Sequence, residues 1–138
     1  MCVKSFFSTL LPFNLEIDIR KEIEKLKVTT KRVLSIIQSD PVEQTSKYLL
    51  KFLRESKLEM LKRFLRFTTA TDMMLTDATG EYLKIEVQLV EMKGLARRPI
   101  AHTCGRVLEL ALSYENFPQF RSEMNTVLDS NIWVMDIC

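Results

Sequence analysis

A single histidine in 138 residues excludes any site built on several imidazoles, the multi-histidine zinc centres included. The three cysteines, Cys2, Cys104 and Cys138, lie far apart with no CxxC pair, so neither a structural zinc site nor any other metal or cofactor is expected. Their odd number, without a secretion signal, points to free thiols in a reducing compartment, cytoplasmic or nuclear. Glycine (three) and proline (four) are scarce, 46% of residues are hydrophobic, and the net charge is only +2. That balance excludes intrinsic disorder for most of the chain. Long apolar runs are missing too. The least polar stretch, Val3 to Phe13, contains Lys4 and Pro12 and falls well short of the ~20 residues that span a bilayer. It has no small-residue cleavage site and is expected to be a packed or frayed terminus.

What is present fits one domain, which at this length buries ~68% of its unfolded surface. Charge is lopsided: residues 1–66 carry 14 Lys and Arg against 8 Asp and Glu, while residues 67–138 carry 6 against 10. Apolar positions Ile19, Ile23, Leu26, Val33 and Ile37 predict one helix from about Ile17 to Gln38, with a single apolar face. Asp40-Pro41 stops it. A second helix is expected over Ser46–Phe67, with a break near Glu55-Ser56. Its wide apolar stripe includes Leu49, Leu53, Leu61 and Leu65, and Lys47, Lys51, Arg54, Lys62, Arg63 and Arg66 form a basic complement. A basic amphipathic helix suits membranes, calmodulin-like proteins or nucleic acid. The plainer reading is preferred: a core-packing helix with a solvated basic face, because Phe52, Phe64 and Phe67 belong to the apolar stripe rather than to the exposed basic face, and no nucleic-acid motif occurs. Neither a nucleic acid nor a membrane is therefore expected as a partner.

Past Thr68 the pattern changes. Thr76–Gly80 reads as a turn, and Lys84–Met92 alternates as a strand. A basic loop runs from Lys93-Gly94 to Pro99, followed by a short strand over Ile100–Thr103 and an apolar run from Val107. A helix is expected over Phe117–Leu128 and a last strand over Ile132–Ile137. The fold class expected is α+β: N-terminal helices, then a small mixed lobe with a short sheet and a late helix.

Chemistry concentrates at Pro99-Ile100-Ala101-His102-Thr103-Cys104-Gly105. A cysteine after a short strand and before glycine suits an exposed turn. An ordinary thiol, with pKa near 8.5, is only about 3% thiolate at neutral pH, and Arg97, Arg98 and Arg106 are the nearby cations. A Cys104–His102 dyad is a poor hydrolase. Residues i and i+2 share a strand face about 6.6 Å apart, yet no Asp or Asn evidently orients the imidazole. On spacing alone, Cys104 is a small hydrophobe and His102 a hydrogen-bonded structural residue.

The segment nevertheless resembles the active-site signature of HECT-type ubiquitin ligases, Leu-Pro-x-Ala-His-Thr-Cys. Pro99, Ala101, His102, Thr103 and Cys104 match in register, with Arg98 in place of the leading Leu. Leu108, Leu110, Tyr114 and Phe117 resemble the continuation of the same lobe, and Phe64–Thr71 resembles its Leu-x-Phe-x-Thr-Gly-Thr helix end. Three ordered blocks cover roughly residues 47–138. The resemblance implies a C-terminal catalytic lobe over 46–138 preceded by a helical segment over 1–45. It implies that Cys104 takes ubiquitin as a thioester from a conjugating enzyme and passes it to lysines of protein substrates. His102 and Thr103 would shape the turn, and Asp136 or the terminal carboxylate would assist the attacking lysine. Gly105 stands where the family has Phe, Ala70 where it has Gly, and Met135 where it has a Phe near the C-terminus. The family's larger N-terminal lobe has no evident counterpart. The expectation is thus a transferase that needs a separate lobe or partner, the alternative being a degenerate module that binds ubiquitin or a ligase partner without turnover.

Overall fold

The computed structural model describes residues 14–91 and 98–130, with backbone alone over 14–18. Among these residues are five helices: α1 (Asn14–Lys25), α2 (Thr30–Ile36), α3 (Gln44–Glu55), α4 (Leu58–Thr69) and α5 (Phe117–Asp129). Four strands, β1 (Ile37–Gln38), β2 (Ile85–Val90), β3 (Ile100–His102) and β4 (Val107–Ala111), form one sheet in the order β1-β2-β4-β3. The expected α+β class, with a short sheet and a late helix, is what the chain adopts.

The sheet is mixed. β1 pairs parallel with β2, β2 parallel with β4, and β3 antiparallel with β4. Register sorts its side chains into two faces. Val87, Leu108 and Ala101 lie abreast, as do Leu89 and Leu110, and all but half-buried Leu89 are buried. On the opposite face a row runs Gln38, Glu86, Val107, His102, and beside it Gln88, Glu109, Ile100. Period-two alternation along β2 and β4 produces this split.

The helices supply the rest of the core. Leu49, Leu53, Phe64, Leu65, Phe120 and Met124 are each no more than 1% exposed, and burying each such side chain contributes roughly 1.5–3 kcal/mol. Thr45, also fully buried, donates from its hydroxyl to the carbonyls of Ala111 (3.0 Å) and Leu112 (2.9 Å), tying the start of α3 to the end of β4. The break between α3 and α4 falls where Glu55-Ser56 predicted it. Ser56 donates from its hydroxyl to the Phe52 carbonyl at 2.7 Å, and the chain turns before Leu58.

The single helix expected over Ile17–Gln38 is instead two helices and a strand. Thr29 is extended, and its hydroxyl accepts from the Arg32 N–H at 3.1 Å, starting a new helix. The carbonyls left at the end of α1 find other donors. Arg32 donates to the Glu24 and Lys27 carbonyls, each at 2.8 Å, the Tyr82 hydroxyl to Lys25 at 3.0 Å, and the Met74 N–H to Leu26 at 3.0 Å. The α1 end is thus pinned, but its expected buried face is not: Ile19 and Ile23 are 49% and 55% exposed. Val33 and Ile36 of α2 do enter the core. The loop from Lys93 and the strand over Ile132–Ile137 fall largely or wholly outside the described residues.

Between α4 and β2, Thr76 bridges Tyr82 across a turn closed by Gly80 at φ 86°. The Asp77 carboxylate accepts from the Thr79 N–H (2.8 Å), the Thr79 hydroxyl (2.6 Å) and the Glu81 N–H (3.1 Å). Those bonds, the Thr79 side chain's foremost, hold its carboxyl below the usual value.

Candidate functional site

β3 and β4 are joined by four residues, Thr103-Cys104-Gly105-Arg106. The Arg106 N–H meets the Thr103 carbonyl at 3.4 Å, and Arg106 adopts φ 52°, a left-handed geometry that returns the chain into β4. The Arg106 carbonyl then accepts from the Glu86 N–H at 2.9 Å, so the tip is stitched to β2 as well. Cys104 and Gly105 are exposed on this tip, while Thr103 and Arg106 are half-buried. The expected turn thus surrounds the cysteine, with its base fixed in the sheet. α4 packs against β3 from the other side.

His102 closes the strand before the turn. Its Nε2 lies 3.4 Å from Glu109 Oε2, diagonally across β3 and β4 on the outer sheet face. When protonated the imidazole forms an ion pair there, between side chains 40% and 27% exposed. Glu109 was not singled out in the sequence. Its signal was the alternation Val107-Leu108-Glu109-Leu110, which sends a carboxylate outward only once the register with β3 is known. Asp136 lies outside the described residues.

The Cys104 sulfur is held in a disulfide. The expectation of free thiols therefore fails at this position, and acyl transfer belongs to the reduced form. Among the described residues no cluster of His, Cys, Asp and Glu is able to hold a metal ion, and no helix is long and apolar enough to cross a membrane.

The other two sequence blocks surround this hairpin. Phe64–Thr71 forms the end of α4, which closes on Ala70 at φ 66° with its N–H donated to the Arg66 carbonyl. Leu108 and Leu110, with Ala111, are the buried residues of β4. Tyr114 then packs edge-on against Phe120 with ring centroids 5.1 Å apart. Asn116 caps α5 by accepting from the Gln119 N–H at 2.9 Å. All three blocks are one structural unit: a helix end, the cysteine hairpin, and the strand-to-helix link behind it.

A family profile described as HECT-domain (ubiquitin-transferase) matches residues 10–132 of the 138. The chain belongs to the HECT-domain family. A search of curated proteins finds no match. The HECT match covers α1 and α2 as well as the sheet and α5, and it connects the chain to the ubiquitin pathway, in which transferases of this family act.

Proposed function

We propose that the reduced chain accepts ubiquitin on Cys104 and passes it to lysines of protein substrates, working with a separate lobe or partner in the cytoplasm or nucleus. The observation carrying this reading is the exposed Cys104 at the tip of a sheet-anchored hairpin, in a chain matching the HECT family over nearly its whole length. The Cys104 thiolate attacks the thioester carbonyl that joins the ubiquitin C-terminal glycine to a conjugating enzyme, and the enzyme's cysteine leaves as thiolate. A substrate lysine amine then attacks the new thioester and gives up its proton, and the Cys104 thiolate leaves. Exchange between two thioesters is nearly balanced in free energy, so a modestly activated thiol suffices and positioning dominates. Thr103 and His102, the latter beside Glu109, keep the turn in place, and Asp136 is the candidate acid near the attacking lysine.

Met135, standing where the family has a Phe near the C-terminus, favours a second reading, a module that binds ubiquitin or a ligase partner without turnover. One experiment separates the two. Protein reduced and desalted is mixed with ubiquitin-charged conjugating enzyme, with and without a HECT N-terminal lobe supplied in trans, and run on non-reducing gels. A dithiothreitol-sensitive ubiquitin adduct absent from Cys104→Ala supports transfer. No adduct in either condition, with saturable ubiquitin-induced NMR shifts, establishes the binding module instead.

A further inference from the structure

α3 carries Lys47, Lys51 and Arg54 four and three residues apart, all exposed and on one face. Spread over seven residues of helix, they form a row about 10 Å long. The first turn of α5 abuts this row. Half-buried Phe117 has Lys51 Nζ 4.4 Å from its ring centre and Arg121 Cζ 5.6 Å from it. Tyr48 flanks the same ring at 5.9 Å. Among the described residues no carboxylate lies within ion-pair distance of Lys47, Lys51, Arg54 or Arg121. Lys25, Lys27, Arg63 and Arg66 by contrast each have one. Arg121 also lines a groove of about 430 Å³ at the α3–α4 bend, floored by Phe52 and Met60.

We propose that this surface docks an acidic peptide segment of a partner protein, its carboxylates on the four cations and an apolar side chain in the groove. Two features select that partner. Lys51 and Arg121 are held over the Phe117 ring, so less side-chain freedom is lost when a carboxylate arrives. The cationic area is short and bounded, with Glu55 and Glu59 lining the same groove beside Lys57. A peptide can be threaded between these acids. A lipid surface or a nucleic-acid backbone would press its phosphates against them. The surface does not involve Cys104, so its test is independent of ubiquitin transfer.

The probe is a fluorescein-labelled twelve-residue peptide of Asp and Glu with two leucines, titrated with the full chain and followed by anisotropy. Saturable binding that weakens as salt is raised is expected. Lys51→Glu/Arg121→Glu is expected to weaken it at least tenfold, since each exposed contact is lost and replaced by repulsion. Lys47→Glu/Arg54→Glu should weaken it by about three- to tenfold on the same basis. Lys21→Glu/Lys31→Glu, two exposed cations on α1 and α2, should change it less than twofold, and Cys104→Ser not at all. All seven positions are solvent-exposed, and unchanged thermal melts establish that the variants fold. Equal weakening by all three charge-reversal pairs, or no saturable binding at low salt, overturns the proposal. So does tighter binding to phosphatidylserine vesicles or a DNA duplex through Lys51 and Arg121.

Discussion

Replacing Ala70 by glycine should stabilise the chain. Ala70 ends α4 at φ 66°, ψ 6°, and its N–H reaches back to the Arg66 carbonyl, the geometry of a left-handed helix cap that glycine ordinarily fills. An L-residue with a Cβ loses roughly 1–2 kcal/mol in this region. Glycine removes that strain but adds about 0.4–1 kcal/mol of freedom to the unfolded chain, which opposes the gain. The difference leaves a net stabilisation of about 0.5–1 kcal/mol. Ala70 is exposed, so no packing is lost to offset it. For a domain of this size that corresponds to a rise in Tm of about 2–4 °C. Urea unfolding followed by circular dichroism should show a higher midpoint at unchanged slope, which separates a native-state gain from an altered denatured state. Ala70→Val should move the other way, because a β-branched side chain is more strained at positive φ. An unchanged or lowered midpoint for Ala70→Gly would refute the assignment of strain to this cap.

Other substitutions test other joints of the fold. Gly105→Ala should be neutral or stabilising by up to about 1 kcal/mol, because its backbone is not left-handed and a Cβ there meets only Val107 Cγ2, at 3.5 Å; a midpoint shift in urea measures it. Thr45→Val should cost about 1–2 kcal/mol in the same assay, since both carbonyls that its buried hydroxyl serves lose a donor. Asp77 titrates below the ordinary aspartate value of 3.8 when folded. Its contribution to stability is therefore full above that value and lost as pH falls through the lower, folded one. Asp77→Asn should flatten the acid limb of a stability–pH profile below about pH 4 and leave its shape near neutrality unchanged.

Local pattern made the helix break at Glu55-Ser56, the alternating strand β2 and the late helix α5 legible, because each rests on neighbours a few residues apart. The split of the first helix was not. Ile36 and Ile37 continue a helical period, and only pairing with Ile85 and Glu86, far along the chain, makes Ile37-Gln38 a strand. Periodicity likewise found α1 but not its exposure: Ile19 and Ile23 mark an apolar face, and a face needs a neighbour to be buried. The same limit hid the aromatic residue among the cations of α3. Tyr48 and Phe52 lie between those cations in sequence, but the ring that Lys51 covers, Phe117, arrives from α5.

At the site, the motif located Cys104, while the carboxylate beside His102 emerged only from the β3–β4 register. The two departures from the family pattern gain meaning from the backbone. Ala70 replaces the usual Gly where φ is 66°, and Gly105 replaces the usual Phe where the backbone is not left-handed and there is room for a Cβ. Each exchange therefore runs against local preference: a side chain where glycine fits best, and glycine where a side chain fits. Both positions keep the conformation that the family residue suits. The departures thus bear on stability, by about 1–2 kcal/mol together. A chain that still forms a Cys104 thioester should do so with its reduced hairpin unchanged, and restoring Gly at 70 should raise its midpoint without altering the reaction of the thiol.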